Sequence, residues 1–142
     1  MNIYIRQLKD KNPTVVNSIQ TQSAPKPVGP YSQAITANGF IFCSGQIALS
    51  PRTNLLVGKT VLSQTNQAFK NIKAILNKAG VTMNQVVQVR VFLTDLYYIP
   101  DVNKVFLKYF SNRLPARTMV GVSHLPLGAC IELEAIATLS VK

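Results

Sequence analysis

Two glutamates in the segment CIELEAIATL, residues 130–139, are the residues of this chain best suited to acid–base chemistry. The chain contains no other glutamate, and the run around Glu132 and Glu134 is otherwise apolar. On a β-strand, residues two apart share a face, so both carboxyl groups point to the same side. A carboxylate among apolar neighbours must be paired with a cation or have its pKa raised. The segment therefore predicts either ion pairs or a general base.

The two glutamates receive different interpretations. We interpret Glu134 as the partner of an arginine in a cross-strand ion pair, with Arg90 and Arg117 as the candidates. For Glu132 the pattern leaves two interpretations open. It is either a second ion-pair partner or a general base poised by partial burial.

Arg117 is the cation best suited to hold a substrate beside such a base. It follows Leu114-Pro115-Ala116 and starts a strand, where an arginine is also an ordinary surface charge. Its planar guanidinium fits the bidentate capture of a carboxylate or a phosphate. One fixed cation and one carboxylate indicate a site that binds a small carboxylic acid and moves a proton or a water beside it.

Other kinds of site have weaker support. Gly58-Lys59-Thr60 resembles the end of a phosphate-binding loop, but Thr53 stands where that motif needs a glycine, so we interpret GKT as a loop before a helix. A Ser-His-Asp hydrolase would have to use His124, the only histidine, but the chain lacks the G-x-S-x-G motif that carries the serine of such enzymes. Cys43 and Cys130 lie in apolar runs and are interpreted as reduced, buried thiols. No metal-ligand spacing occurs, so we expect no metal site.

Composition limits the class of protein. The 142 residues suit one domain, and only 14% of them are charged against about 25% in typical soluble domains. We therefore expect other subunits to cover some apolar surface. No apolar run is long enough to span a membrane and no secretory leader is recognisable, so the expected location is the cytoplasm. The net charge of +10 indicates attraction to anions without identifying them.

The pattern of apolar residues predicts a two-layer α+β fold, with helices on one face of a sheet whose other face needs a partner. Residues 1–12 are expected to form a loose extension, and residues 13–142 a single domain. In the first predicted helix, Leu62, Phe69 and Ile72 belong to the buried stripe. In the strand at 86–93, Val87 and Val89 alternate with polar residues. The expected elements are strands at 14–19, a hairpin over 34–45 turning at Asn38-Gly39, a turn at 51–54, a helix from about 62 to 79, a strand at 86–93, a helix from about 100 to 111, a strand from about 117, and the strand at 130–139.

Four separated motifs also resemble a known family. GPYSQA at 29–34, SGQI at 44–47, Pro115-Ala116-Arg117 and IELEAIA at 131–137 occur in the order and spacing of the Rid (YjgF) family of reactive intermediate deaminases. The chain most resembles its RidA subgroup, over about residues 14–140. The resemblance implies a chorismate-mutase-like subunit with two helices on one face of the sheet, assembled as a homotrimer with clefts between subunits.

The resemblance also implies an activity. The family hydrolyses enamines and imines that escape from pyridoxal-phosphate dehydratases, such as 2-aminoacrylate and 2-aminocrotonate with their tautomers 2-iminopropanoate and 2-iminobutanoate. The products are a 2-keto acid and ammonia, and no cofactor or metal takes part. By resemblance, Arg117 binds the substrate carboxylate and Glu132 activates water. The expected pocket also contains Tyr31, Ser44, Asn103 and main-chain groups near Gly45 and Met119.

Two positions depart from the family pattern. Met119 stands where many RidA members have a cysteine, and Phe106 where a tyrosine is frequent. Two other functions remain open. One is a non-catalytic binder of small carboxylic acids. The other is an RNA-binding or translation-inhibiting protein of ribonuclease type, which is less favoured because the Lys and Arg residues are scattered.

Overall fold

The computed structural model describes residues 15–139, so the extension expected at 1–12 lies outside the described residues. Within this range, none of the helices is long and apolar enough to cross a membrane. The elements in chain order are β1 Asn17–Ile19, β2 Ala34–Ala37, β3 Phe40–Gln46, α1 Val61–Lys78, β4 Val86–Leu93, α2 Ile99–Tyr109, β5 Ala116–Gly121 and β6 Ile131–Thr138. This order confirms the predicted α+β class.

The strands form one six-stranded sheet in the order β1-β2-β3-β6-β4-β5. Every neighbouring pair is antiparallel except β4 and β5, which are parallel because α2 connects them as a crossover. The strand β6, which carries both glutamates, lies centrally between β3 and β4. Its register with both neighbours therefore decides what surrounds each carboxylate.

One face of the sheet is covered by the two helices and contains the core. On β6, Ile131, Leu133, Ala135 and Ala137 are at most 2% exposed and belong to the same apolar cluster as Phe69 of α1. The opposite face, which we call the open face, carries Glu132, Glu134 and Ile136, all half-buried. The predicted division of this strand is confirmed.

The open face also exposes aromatic side chains of β3. Phe40 and Phe42 are 41% and 45% exposed, and their rings lie 6.3 Å apart. Large exposed apolar groups on one side of a sheet are typical of a surface that another molecule covers.

Local chemistry explains the turns that were predicted. Asn38 and Gly39 both have positive φ, 49° and 79°, as a two-residue hairpin of this type requires. Thr60 is the N-cap of α1, since its side chain accepts a hydrogen bond from the Ser63 amide at 3.2 Å. Gly58-Lys59-Thr60 is thus a loop that leads into a helix, as the sequence indicated.

Three details of the prediction were wrong. The first strand was expected at 14–19, but residues 15 and 16 do not belong to it and β1 is Asn17–Ile19, while residue 14 lies outside the described residues. Leu62 is 38% exposed, whereas Val61 is buried, so the buried stripe begins one residue earlier. In β4 the register with β6 shifts between Val86 and Gln88, which makes Val86 the core residue and leaves Val87 half-buried. A β-bulge interrupts the alternation that periodicity assumes.

Candidate active site

Glu132 lies against the main chain of Gly45 on the neighbouring strand. The register of β3 with β6 shifts between Cys43 and Gln46, and Gly45 lies in this irregular stretch. A Cβ atom on Gly45 would overlap Oε1 of Glu132 and would stand 2.9 Å from its Cδ. The carboxylate occupies space that any side chain at position 45 would fill. The φ of Gly45 is not positive, so the backbone conformation does not require a glycine here. A glycine is needed because it lets the Glu132 carboxylate approach the main chain closely.

The environment of Glu132 favours the protonated form. Burial raises the pKa of this carboxyl above its ordinary value of 4.5, and the negative charge of Glu134 raises it further. Within residues 15–139, Glu132 has no ion-pair partner within 4.0 Å. Of the two interpretations left open by the sequence, an ion pair has no support within this part of the chain, and the role of a general base stays a prediction.

Glu134 has the structural role that was predicted. Its Oε2 lies 3.3 Å from Nη1 of Arg90, directly across the β4–β6 pairing, so the pair with Arg90 is confirmed. Both side chains are substantially exposed, and exposed pairs of this kind contribute about 0.2–1 kcal/mol.

A small cleft opens beside Glu132. Its volume is about 50 Å³, and its walls come from the proline-rich segment before β2, from β3 and the residues after it, and from Pro126. The lining includes Tyr31, Gly45 and Glu132 together with apolar groups such as Val28 and Pro126. Two of the pocket residues expected by resemblance, Tyr31 and Gly45, therefore lie with the expected base. Val28 and Pro126 were not predicted, because only the fold brings them there.

The hydroxyl groups of Tyr31 and Ser44 both make hydrogen bonds to the main chain of this protein. The Tyr31 hydroxyl accepts a hydrogen bond from the Val28 amide at 3.2 Å. The Ser44 hydroxyl donates to the carbonyl of Ser32 at 2.6 Å, and the Ser44 amide donates to the carbonyl of Gln33 at 3.0 Å. Of the two, only Tyr31 lines the cleft, whereas Ser44 lines a separate pocket with Arg90 and Glu134. Each hydroxyl oxygen retains capacity for a further hydrogen bond.

Arg117 is held by two residues of α2. Its Nη1 donates to Oδ1 of Asn103 at 2.7 Å, and its guanidinium carbon lies 4.9 Å from the centre of the Phe106 ring. The arginine is exposed, and the rest of its guanidinium makes no hydrogen bond within the described range. Stacking on an aromatic face and one amide acceptor orient the fork while leaving donors for an anion. Phe106 provides the ring without a hydroxyl.

One chain does not bring Arg117 and Glu132 together. Arg117 of β5 pairs with Val89 of β4, and Val89 belongs to the core. The side chain of Arg117 therefore leaves the sheet on the helix-covered face. Met119 shares this face and packs against the core. Glu132 pairs with Phe92 and points to the open face. The expected site residues therefore form two groups on opposite faces of the sheet.

Cysteine and metal chemistry have no support in the described structure. Cys43 is buried and free, and burial raises the pKa of its thiol to about 12, which makes thiolate formation unfavourable. Cys130 is also free but only half-buried, where full burial was expected. Within residues 15–139, no three His, Cys, Asp or Glu side chains cluster as metal ligands would.

Comparisons with known proteins show the family to which the chain is similar. The family described as "Endoribonuclease L-PSP" matches residues 21–139. A RutC family protein of Pyrococcus horikoshii is 48% identical over 119 residues, which cover 84% of this chain and 94% of that protein. A 2-iminobutanoate/2-iminopropanoate deaminase of Dermatophagoides farinae is 39% identical over 121 residues, covering 85% of this chain and 94% of that protein. The crystal structure of RidA from an Antarctic Psychrobacter is similar with a TM-score of 0.84 and 41% identity, covering 87% of this chain and 99% of that chain.

Proposed function

Because the chain belongs to the Rid (YjgF) family, which is also described as endoribonuclease L-PSP, we propose that it is a hydrolytic deaminase of small 2-imino acids and their enamine tautomers. Some of its relatives are named as imine deaminases. The observation that carries the proposal is Glu132, a half-buried carboxyl with a raised pKa beside a small cleft. A base of this kind is suited to taking a proton from water near neutral pH.

The proposed reaction begins with water beside Glu132. Water loses a proton to Glu132 while its oxygen bonds to the carbon of the protonated imine, which gives a carbinolamine. Glu132 returns the proton to the amino nitrogen, and the C–N bond breaks with its electron pair leaving on ammonia. The carbonyl oxygen then releases its proton to solvent. The products are a 2-keto acid and ammonia.

Arg117 is proposed to hold the substrate carboxylate. Its orientation by Asn103 and Phe106 reduces the freedom lost when an anion binds. A fixed carboxylate places the imine carbon in one position, and such positioning is a large part of catalysis. Arg117 takes no part in proton transfer, because a guanidinium stays protonated in proteins.

The complete site is proposed to form between two copies of the chain. Arg117 and Glu132 belong to opposite faces of one sheet, so a substrate of a few atoms cannot contact both within one protomer. The exposed phenylalanines of the open face and the low charged fraction support an assembly that covers this face. We propose the homotrimer implied by the family, with Glu132 and Tyr31 from one subunit and Arg117 and Asn103 from its neighbour.

A coupled assay tests the activity. The purified protein is added at micromolar concentration to a threonine dehydratase reaction, and the release of 2-ketobutyrate is followed. Wild type accelerates the release, Arg117→Ala does not, and Arg52→Ala is the matched control, since Arg52 lies in an exposed turn. An unchanged rate with wild-type protein contradicts the proposal for these substrates. Ligand binding that survives Glu132→Gln, with no turnover by wild type, would indicate a non-catalytic carboxylate binder.

RNA binding is the second candidate. It is favoured by a groove on the helix layer lined by Lys70, Lys73 and Lys108, with a volume of about 480 Å³, and by the net charge of +10. Helix α1 contains no acidic residue that would neutralise these lysines. A salt titration decides, because attachment through phosphates weakens steeply with ionic strength. No binding near physiological salt removes this candidate.

A further inference from the structure

Gln33, immediately before β2, is a buried glutamine whose side chain bonds only to the main chain of one loop. It is 2% exposed. Its Oε1 accepts from the Thr21 amide at 2.7 Å, and its Nε2 lies 3.0 Å from the carbonyl of Thr21 and 2.8 Å from that of Pro25. A third carbonyl, that of Ala24, lies at 3.4 Å. One amide thus satisfies a donor and several acceptors that a strand or helix would otherwise satisfy.

The loop in question, residues 21–31, packs Ala24 into the core but has few other hydrogen bonds to the rest of the fold. We call it the cleft loop. Three of its residues are prolines, which have no N–H to donate, so it cannot join the sheet as a strand. Its other main-chain hydrogen bonds are local, as from Tyr31 to Gly29 at 2.9 Å, apart from a bond at 3.3 Å between the Asn54 side chain and the Lys26 carbonyl. Gln33 therefore provides most of the hydrogen bonds between this loop and the rest of the fold.

The main chain of Gln33 is hydrogen-bonded to β3 close to the position of Glu132. Its carbonyl accepts from the Ser44 amide, and the next residue of β3 is Gly45, against which the Glu132 carboxylate lies. Residues of the cleft loop, Gln33 and Glu132 all line the same cleft. A displacement of the loop therefore changes the space where water and the substrate meet the base.

We propose that Gln33 is a positioning residue, which sets the distance between the cleft loop and Glu132 and so orients the substrate for attack by water. This inference rests on the proposed function. It concerns a residue that acts through the loop and does not react itself. Because capture of the carboxylate by Arg117 does not depend on this loop, loss of Gln33 affects kcat more than KM.

The test compares two buried glutamines. Gln33→Met keeps the length and apolar packing of the side chain but removes every hydrogen bond to the loop. Gln64→Met is the matched control, because Gln64 is 5% exposed and bonds to the Gly58 carbonyl and the Cys130 amide, outside the cleft. Hydrogen exchange of peptides covering residues 20–31 and steady-state kinetics are measured on both. If Gln33→Met does not fold, Gln33→Asn replaces it, since the shorter amide cannot reach all of its partners.

The expected result is faster exchange in residues 20–31 for Gln33→Met only. We expect kcat to fall at least about tenfold with KM within about threefold, since a misplacement of 1 Å can cost about 100-fold. Unchanged exchange overturns the proposal, and so does faster exchange with wild-type kcat. An equal loss of kcat in Gln64→Met at equal stability also overturns it. If wild type shows no turnover, the proposed function fails, and the exchange measurement alone decides whether Gln33 holds the loop.

Discussion

Replacing Gly45 by alanine tests the placement of the proposed catalytic base, Glu132, without replacing Glu132 itself. The added Cβ would overlap Oε1 of Glu132 and would lie 2.9 Å from Cδ and 3.2 Å from Cγ. Carbon atoms in favourable contact are about 3.5–4.0 Å apart, so Cδ must retreat by about 0.6–1.1 Å. A reacting group displaced by about 1 Å can lose about 100-fold in rate. We expect kcat/KM to fall about 100-fold, which corresponds to about 2.7 kcal/mol.

The fold should tolerate this substitution. The φ of Gly45 is not positive, and the displaced atoms are the far end of a flexible side chain. Alanine is favoured over glycine in a strand by about 0.5–1 kcal/mol, so the free energy of unfolding should stay level or rise slightly. Thermal unfolding and the coupled dehydratase assay measure the two quantities on the same sample.

A double-mutant cycle provides the control for Gly45→Ala. In a Glu132→Gln background the base is already absent, so the added methyl should cost little further activity. Two results would refute the reasoning. One is a folded Gly45→Ala protein with more than half of wild-type kcat/KM, and the other is a loss that is fully additive with Glu132→Gln.

Three further predictions concern the charged groups. Since Glu132 must be ionised to accept a proton and burial raises its pKa, the acid limb of kcat/KM should lie above pH 4.5. Because the buried charge destabilises the folded state, Glu132→Gln should raise the free energy of unfolding at neutral pH. In denaturation experiments this difference should vanish below pH 4.5, where Glu132 is protonated in both the folded and the unfolded state. Asn103→Ala, which removes the acceptor of Arg117, should raise KM about tenfold, or about 1.4 kcal/mol, with kcat little changed in steady-state kinetics. Glu134→Gln, which breaks the exposed pair with Arg90, should keep turnover, change the free energy of unfolding by less than about 1 kcal/mol, and shift the acid limb to lower pH.

The strand that carries the glutamates was predictable because its pattern is local. The alternation in residues 131–137 assigned each side chain to a face, and the structure agrees at every one of these positions. The hairpin turn was equally local, because Asn38 and Gly39 accept positive φ more readily than other residues. The bulge at Val87 was not predictable, because one extra residue in a strand leaves no mark in composition or periodicity.

The contacts among the site residues were harder to predict from the sequence than the strands and helices that carry these residues. Residue types alone indicated Glu132 and Arg117, but the approach of Glu132 to Gly45 depends on the register between β3 and β6. The separation of Arg117 from Glu132 follows from the pairing of β4 with β5 and β6, which is a long-range property. Asn103 was expected by resemblance only, and its contact with Arg117 requires α2 to pack beside β5.

The central claim is that Glu132 of one subunit and Arg117 of its neighbour form one active site. Complementation between two inactive variants tests this claim most directly. Glu132→Gln and Arg117→Ala proteins are mixed in equal amounts, unfolded and refolded together, and assayed after hybrid assemblies are verified with two affinity tags. If each site takes Glu132 from one subunit and Arg117 from the next, about one quarter of the sites in randomly mixed rings are intact. We predict recovery of about a quarter of wild-type activity. Hybrid assemblies that form and remain as inactive as both parents would contradict a site shared between subunits.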